Sequence, residues 1–219
     1  VRLNANLFHT TIEDLQAFRL LAGTTTTELL NVGEADSWGV EIDVDWLVTE
    51  NLLLSLSVVY NDSEYTDFIY DCYAGQTPAM GCTVDLSGDG TPDSQDLEGE
   101  PLASLPELKY VLSGRYDFNL ADMPFNMYVS GKYRWQDDVN YLITANPKSV
   151  QDSYGILDLS VGFEDPEGRW DLRFFAQNVT DEFYARRRSF AGAIGGAFHT
   201  LARDYETYYG VTLRYSAGG

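Results

Sequence analysis

Trp38–Asn61 reads WGVEIDVDWLVTENLLLSLSVVYN, and both halves of the stretch alternate. Trp38, Val40, Ile42, Val44 and Trp46 fall on one face, against the carboxylates Glu41, Asp43 and Asp45 on the other. After the polar turn Thr49-Glu50-Asn51, Leu52, Leu54, Leu56, Val58 and Tyr60 oppose Leu53, Ser55, Ser57, Val59 and Asn61. A period of two means extended strands with two different faces.

The same period recurs along the chain. FNMYVSGKYRWQ sets Phe125, Met127, Val129, Gly131, Tyr133 and Trp135 against Asn126, Tyr128, Ser130, Lys132, Arg134 and Gln136, and YETYYGVTLRY behaves likewise. The pattern predicts eight strands, near 2–21, 28–48, 52–68, 104–119, 124–142, 153–164, 169–181 and 204–215. Short turns follow the even strands, at 49–51, 120–124 and 165–168; long polar loops, near 22–27, 69–103, 143–152 and 182–203, follow the odd ones.

Alternation alone also suits a soluble sandwich, so other features decide. The strands are longer than the usual 5–6 residues of globular sheets. Aromatics such as Trp38 and Trp46 stand at the ends of the apolar faces, where an amphipathic ring suits a membrane interface. Alternating short and long connections match a barrel with one rim at the periplasm and the other outside. The expected fold class is all-β, an antiparallel transmembrane β-barrel segment of about eight strands.

Composition sets limits on partners. The chain has 219 residues, 14 of them basic and 34 acidic, for a net charge of −20. No Lys or Arg lies between Leu20 and Leu108, whereas 18 Asp and Glu lie between Glu28 and Glu107. Such a surface repels phosphate, which excludes nucleic acid and favours divalent cations. No apolar run is long enough for a membrane-spanning helix. The opening VRLNANLFHT does not read as a signal peptide, which leaves a soluble cytoplasmic chain or a piece of a longer one. Two close cysteines in a polar loop favour an oxidising compartment, and with it the second option.

Those cysteines, Cys72 and Cys82, are expected to form a disulfide; two free thiols or a zinc site are the alternatives, and no His lies near them. Beyond them, DLSGDGTPDSQD (Asp85–Asp96) has the spacing of a twelve-residue calcium loop. Its ligands would be Asp85, Ser87, Asp89, the Thr91 carbonyl, Asp93 and Asp96, with Gly90 at the sharp turn. The stretch resembles the calcium loops of dockerin-type and thrombospondin-type repeats, although Pro92 departs from the EF-hand pattern and flanking helices are not evident. The bland reading is an acidic solvated turn.

The chain as a whole resembles the C-terminal barrel portion of TonB-dependent outer-membrane receptors. NVTDEFY, with Asn178, Thr180, Asp181 and Tyr184, is similar to their penultimate-strand motif. LFHTTIEDLQ resembles a strand entering an Asp-Leu turn, and the Trp38–Asn61 stretch resembles a hairpin around a periplasmic turn. YETYYGVTLRY resembles the terminal strand. DLEGEPLASLPELKYVLSGRYDF resembles a return strand, with Leu105-Pro106 where Ala-Pro is usual. SAGG after Tyr215 departs from barrels that finish on the aromatic.

The resemblance implies a 22-stranded barrel in the Gram-negative outer membrane, of which this chain would supply about the last eight strands. It also implies a plug domain, coupling to the TonB complex, contact with lipid and lipopolysaccharide, and uptake of a scarce nutrient such as a siderophore or sugar. A self-contained eight-stranded barrel and a soluble calcium-binding sandwich are the rival readings. The Arg186-Arg187-Arg188 run would meet an anionic ligand or lipopolysaccharide phosphate, or simply pair the acidic lumen wall. His9 and His199 have no catalytic partner by spacing, Asn178–Thr180 also fits a glycosylation sequon, and no motif suggests an enzyme.

Overall fold

The computed structural model describes residues 1–20, 26–118, 123–191 and 196–216. Among them the strands are β1 (Arg2–Leu20), β2 (Thr27–Thr49), β3 (Leu52–Asp71), β4 (Ser94–Asp96), β5 (Leu108–Phe118), β6 (Asn126–Gln136), β7 (Val139–Asn140), β8 (Val150–Gln151), β9 (Tyr154–Glu164), β10 (Trp170–Gln177), β11 (Ala185–Ala191), β12 (Gly196–Leu201) and β13 (Tyr208–Tyr215). One antiparallel sheet runs β1-β2-β3-β5-β6-β9-β10-β13, and these are the eight expected strands. The wall is open: among the described residues β1 pairs only with β2, and β13 only with β10. A self-contained eight-stranded barrel would need β1 to pair with β13.

The differences from expectation lie at strand ends and in loops. β5 begins at Leu108 rather than 104, after Pro106, which has no N–H for a ladder. β10 stops at Gln177 because Asn178 takes a left-handed φ of 49°. The Asp-Leu turn expected in LFHTTIEDLQ is a bulge: β1 continues past it, with a register shift between Ile12 and Leu15 and Asp14 at φ 54°. The connection 69–103 contains the end of β3 and β4, which pair, and the connection 182–203 contains the hairpin β11–β12. Residues 22–25 of the first expected loop, 120–122 of the second turn and 217–219 of the SAGG tail lie outside the described residues.

Register carries the two faces across the wall. Val44, Leu56, Leu112, Tyr133 and Leu157 form one row, and Leu52, Tyr116, Val129, Val161, Phe174 and Val211 another. The opposite face aligns Asp45, Ser55, Ser113, Lys132 and Asp158. The apolar face is bare, with Leu7 74% and Val211 60% exposed. Contiguous apolar surface of this kind marks an interaction with something equally apolar. Aromatic pairs flank it. Trp38–Tyr60 and Tyr110–Trp135, with centroids 5.5 and 5.4 Å apart, stand at one level; Tyr116–Phe118 and Phe125–Phe163, at 4.6 and 5.6 Å, stand at the other. Trp38 to Trp46 spans roughly 27 Å along the strand between the two aromatic levels.

β1–β3 are 19, 23 and 20 residues long, against 8–11 for the other wall strands, and they project past the upper aromatic level. The projection has its own core. Ala17, Ala35, Tyr65, Phe68, Tyr70 and Leu97 are buried together. A bulge at Thr66 breaks the alternation and brings Phe68 and Tyr70 to the same side as Tyr65, where the three rings stack with centroids 4.3 and 5.5 Å apart.

Candidate functional site

The NVTDEFY motif forms a corner at the end of β10. Asn178 is fully buried, and short polar Asn tolerates its left-handed backbone. Its side-chain amide donates to the carbonyls of Glu182 and Asp204, both at 2.9 Å, and its Oδ1 accepts from the Glu182 N–H at 2.9 Å. The Asn178 N–H reaches the Asp158 carboxylate on β9 at 3.1 Å. Asp181, also left-handed at φ 53°, accepts from the Thr207 N–H at 3.0 Å. The motif therefore ties β9, β10 and the approach to β13 into one corner, and this role is architectural.

Tyr184 carries the corner toward the charged face. Its hydroxyl donates to Asp204 at 2.6 Å, and Arg134 of β6 pairs with the same carboxylate at 2.5 Å and with Asp158 at 3.6 Å. Burial alone would raise the Asp204 carboxyl, but the Tyr184 and Arg134 hydrogen bonds outweigh it and hold it below the ordinary carboxylate range. Burial, and then the Asp204 carboxylate, push the Tyr184 phenol up. Burial likewise raises Tyr141, so both phenols are neutral donors at neutral pH.

Beside them lies a cavity of about 330 Å³ whose walls include Lys109, Gln136, Tyr141, Tyr154, Tyr184 and Arg186. Tyr154 and Tyr184 stack with centroids 4.5 Å apart. Among the described residues neither Lys109 nor Arg186 forms an ion pair. Two cations without an ion pair among the described residues, lining one cavity with three phenols, make a cradle for an anionic group. Of the arginine run, Arg186 lines this cradle, while Arg188 donates to the Val150 carbonyl at 2.5 Å and to the Gln151 side chain at 3.1 Å. Arg188 thus stitches two connections together.

Cys72 and Cys82 are bonded, with Cα atoms 5.6 Å apart. The loop beyond them closes where Val84 meets Ser94. Asp85 accepts from the N–H groups of Gly88, Asp89 and Gly90 at 2.8, 3.2 and 2.8 Å, and Asp93 from those of Leu86 and Ser87 at 3.0 and 3.1 Å. The Leu86 N–H, aided by the Ser94 hydroxyl, holds the Asp93 carboxyl down at about 2. Asp89 accepts from the Thr91 N–H at 2.8 Å, the Ser87 hydroxyl faces Asp85 at 3.3 Å, and Asp96 sits in β4 opposite Ile69. The loop's carboxylates thus cap its own backbone. Among the described residues, no three His, Cys, Asp or Glu side chains are grouped to hold a metal ion.

Sequence reasoning missed Gln95. Nearly buried, it donates to the carbonyls of Asp71 and Thr144 at 3.2 and 2.8 Å and accepts from Gln76 at 2.7 Å, which locks the disulfide ring to the neighbouring connection. A neutral amide within an acidic loop was the available signal. Lys109 and Asp204 were also missed, because nothing local in sequence marks residues that meet only across the wall.

The sequence matches the family model for the TonB dependent receptor-like beta-barrel over residues 1–179. No curated protein matches it. The fold is similar to that of the ferric yersiniabactin uptake receptor FyuA from Yersinia pestis, at 18% identity and a TM-score of 0.69 over 97% of this chain and 27% of that one. It is also similar to the siderophore receptor PiuA from Acinetobacter baumannii, at 19% identity and a TM-score of 0.63 over 96% and 25%. The FrpB iron transporter (F3-3 variant) from Neisseria meningitidis follows at 16% identity and a TM-score of 0.56 over 95% and 28%. This chain spans about a quarter of the length of these receptors. Because the matched family model takes in every strand from β1 to β10, the chain belongs to the TonB-dependent receptor β-barrel family, a family of transport barrels and not of enzymes.

Proposed function

We propose that this chain is barrel wall and outer mouth of a TonB-coupled receptor that takes up an iron chelate through the Gram-negative outer membrane. The observation that carries the reading is the open two-faced wall, apolar on one side and charged on the other, topped by the Lys109–Arg186 cradle. Further barrel strands would continue from β1 and β13, and a plug domain would fill the lumen. In this reading the short turns face the periplasm and the disulfide loop faces outside. The similarity to receptors named for ferric chelates and siderophores supports the ligand class. A cradle of two cations and several phenols supports it chemically, because iron chelates carry carboxylate or catecholate groups.

Uptake of radiolabelled ferric chelate by iron-starved cells tests the reading. Uptake should need both the receptor and TonB, and Lys109→Glu with Arg186→Glu should lower chelate binding at least about tenfold, with the barrel still folded. Uptake that persists without TonB would overturn it. Spacing alone supports one structural calcium ion in the Asp85–Asp96 loop. Calorimetry on the intact protein tests that separately: uptake of one ion, lost in Asp89→Ala, supports it, and no uptake ends it.

A further inference from the structure

Four neutral polar side chains of the outer connections are almost wholly buried: Gln95, Asn146, Ser149 and Gln151, none more than 4% exposed. Burying such groups costs free energy unless each finds a partner, and a network in which each does is rigid and favours one conformation. Each of the four has a partner, and the contacts run in one line.

The line starts at the disulfide ring. Inside the ring Gln76 accepts from the Tyr73 N–H at 2.9 Å and donates to the Met80 carbonyl at 3.1 Å, and it also donates to Gln95 at 2.7 Å. Gln95 in turn donates to the Thr144 carbonyl at 2.8 Å, in the connection between β7 and β8. That connection is knotted upon itself. Asn140 donates to the Asn146 carbonyl at 3.2 Å and accepts from the Leu142 N–H at 3.1 Å, and the Ser149 hydroxyl donates to the Asn146 carbonyl at 2.6 Å. The Ala145 N–H closes onto the Leu142 carbonyl at 3.0 Å, and the Tyr141 N–H onto the Ser149 carbonyl at 3.3 Å. A shift at Thr144 therefore carries Tyr141 with it.

The line ends at Ala185. This residue is fully buried and gripped on both sides: its carbonyl accepts from the Tyr141 hydroxyl at 3.1 Å, and its N–H donates to Gln151 at 3.0 Å. Ala185 stands between Tyr184 and Arg186, and both of these line the 330 Å³ cavity together with Tyr141 and Lys109. The grip on the Ala185 backbone therefore sets where its two neighbours stand.

We infer that Gln95 is a positioning residue for the anion cradle. Acting through Thr144 and Tyr141, it carries the hold of the disulfide ring to Ala185 and so fixes Tyr184 and Arg186. Gln95 lines no part of the cavity itself. The inference rests on the reading of that cavity as the chelate site, and it gives the Cys72–Cys82 ring a task there.

The test is hydrogen exchange, read by mass spectrometry on the intact receptor in detergent micelles. Gln95→Ala should speed exchange over residues 184–186 at least about tenfold, as the loss of a hydrogen bond's worth of local stability implies. Amides of β6 and β9 in the belt should be unchanged. Gln76→Ala leaves Gln95 in place and should give a smaller effect at the same residues; it decides the matter if Gln95→Ala does not assemble. Tyr141→Phe removes only the hydroxyl at the end of the line. Combined with Gln95→Ala it should add nothing to the larger single effect, because residues that act through one another are not additive. A glutamine variant that leaves residues 184–186 unchanged overturns the inference. So does faster exchange throughout the belt, which would make Gln95 a general prop of the fold, and so does an additive double variant. Exchange needs no chelate, so a failed relay is distinguishable from a failed transport reading, which the unaltered receptor's uptake of radiolabelled ferric chelate tests separately. In cells that show this uptake, Gln95→Ala should raise the concentration for half-maximal uptake and spare the maximal rate; the reverse would also overturn the relay.

Discussion

β1–β3 and β5–β13 share one apolar belt, yet they finish above it in different ways. β2 and β3 carry no Lys or Arg, and with β1 they close over a small core of stacked aromatics. The shorter strands carry the cations of the charged face and hand over to connections stitched by polar contacts at Asn178 and Arg188. A hydrophobic cap stands on its own, whereas a polar network holds only while every partner is present. The long side should therefore act as the fixed post of the mouth, and the short side as the part where ligand and partner contacts are made.

Removing the post's central ring should have the largest effect. Phe68 is fully buried between Tyr65 and Tyr70, so Phe68→Ala should cost about 3–5 kcal/mol. Native-state hydrogen exchange in detergent micelles should show that loss in the upper half of β3, with amides of the belt unchanged. If belt and projection lose protection together, the two regions are one cooperative unit and the contrast fails.

The belt itself gives the next largest effect. Leu56 lies in the apolar row with Val44 and Leu112, while the Ser57 hydroxyl donates to Asp43 at 2.6 Å on the other face. If the apolar row faces lipid, Leu56→Arg should cost about 2–4 kcal/mol in a lipid bilayer, and Ser57→Arg much less, because only the first puts a charge on the apolar face. Unfolding titrations of both variants in vesicles measure the difference, and equal costs would reverse or abolish the assignment of faces.

What could be read beforehand follows the same division. The belt was legible because an apolar face on one side and a charged face on the other impose strict alternation, as in Trp38–Trp46. The projection was not, because the bulge at Thr66 changes the spacing from Tyr65 to Phe68 and hides the continuation of β3 to Asp71. NVTDEFY was visible as a motif, but its purpose depends on Asp204 and Thr207, which lie beyond another hairpin. Of the acidic loop, the disulfide could be anticipated from two cysteines in one polar segment. The capping by Asp85 and Asp93 could not, since the same residues at the same spacing also describe calcium ligands.

The smallest expected effect separates two carboxylates at opposite ends of the wall. Asp93 in the disulfide loop and Asp165 in the turn before β10 are both held at about 2, against 3.8 ordinarily. The causes differ. The main influence on Asp165 is the Arg169 side chain, a full positive charge, whereas Asp93 is bonded chiefly by the Leu86 N–H and the Ser94 hydroxyl, which are neutral. A carboxyl depressed on folding stabilises the fold fully above its unfolded value, and that contribution is lost as pH falls from 3.8 toward about 2. Both contributions should therefore be intact at neutral pH and vanish only in strong acid. Salt tells them apart: in 1 M salt the Debye length is about 3 Å, so the charge on Arg169 is screened while neutral hydrogen bonds are not. Carbon-detected NMR titration should show the Asp165 midpoint moving up with added salt and the Asp93 midpoint staying in place. Equal movement of both would mean that a shared field, and not these local donors, sets the two carboxyls.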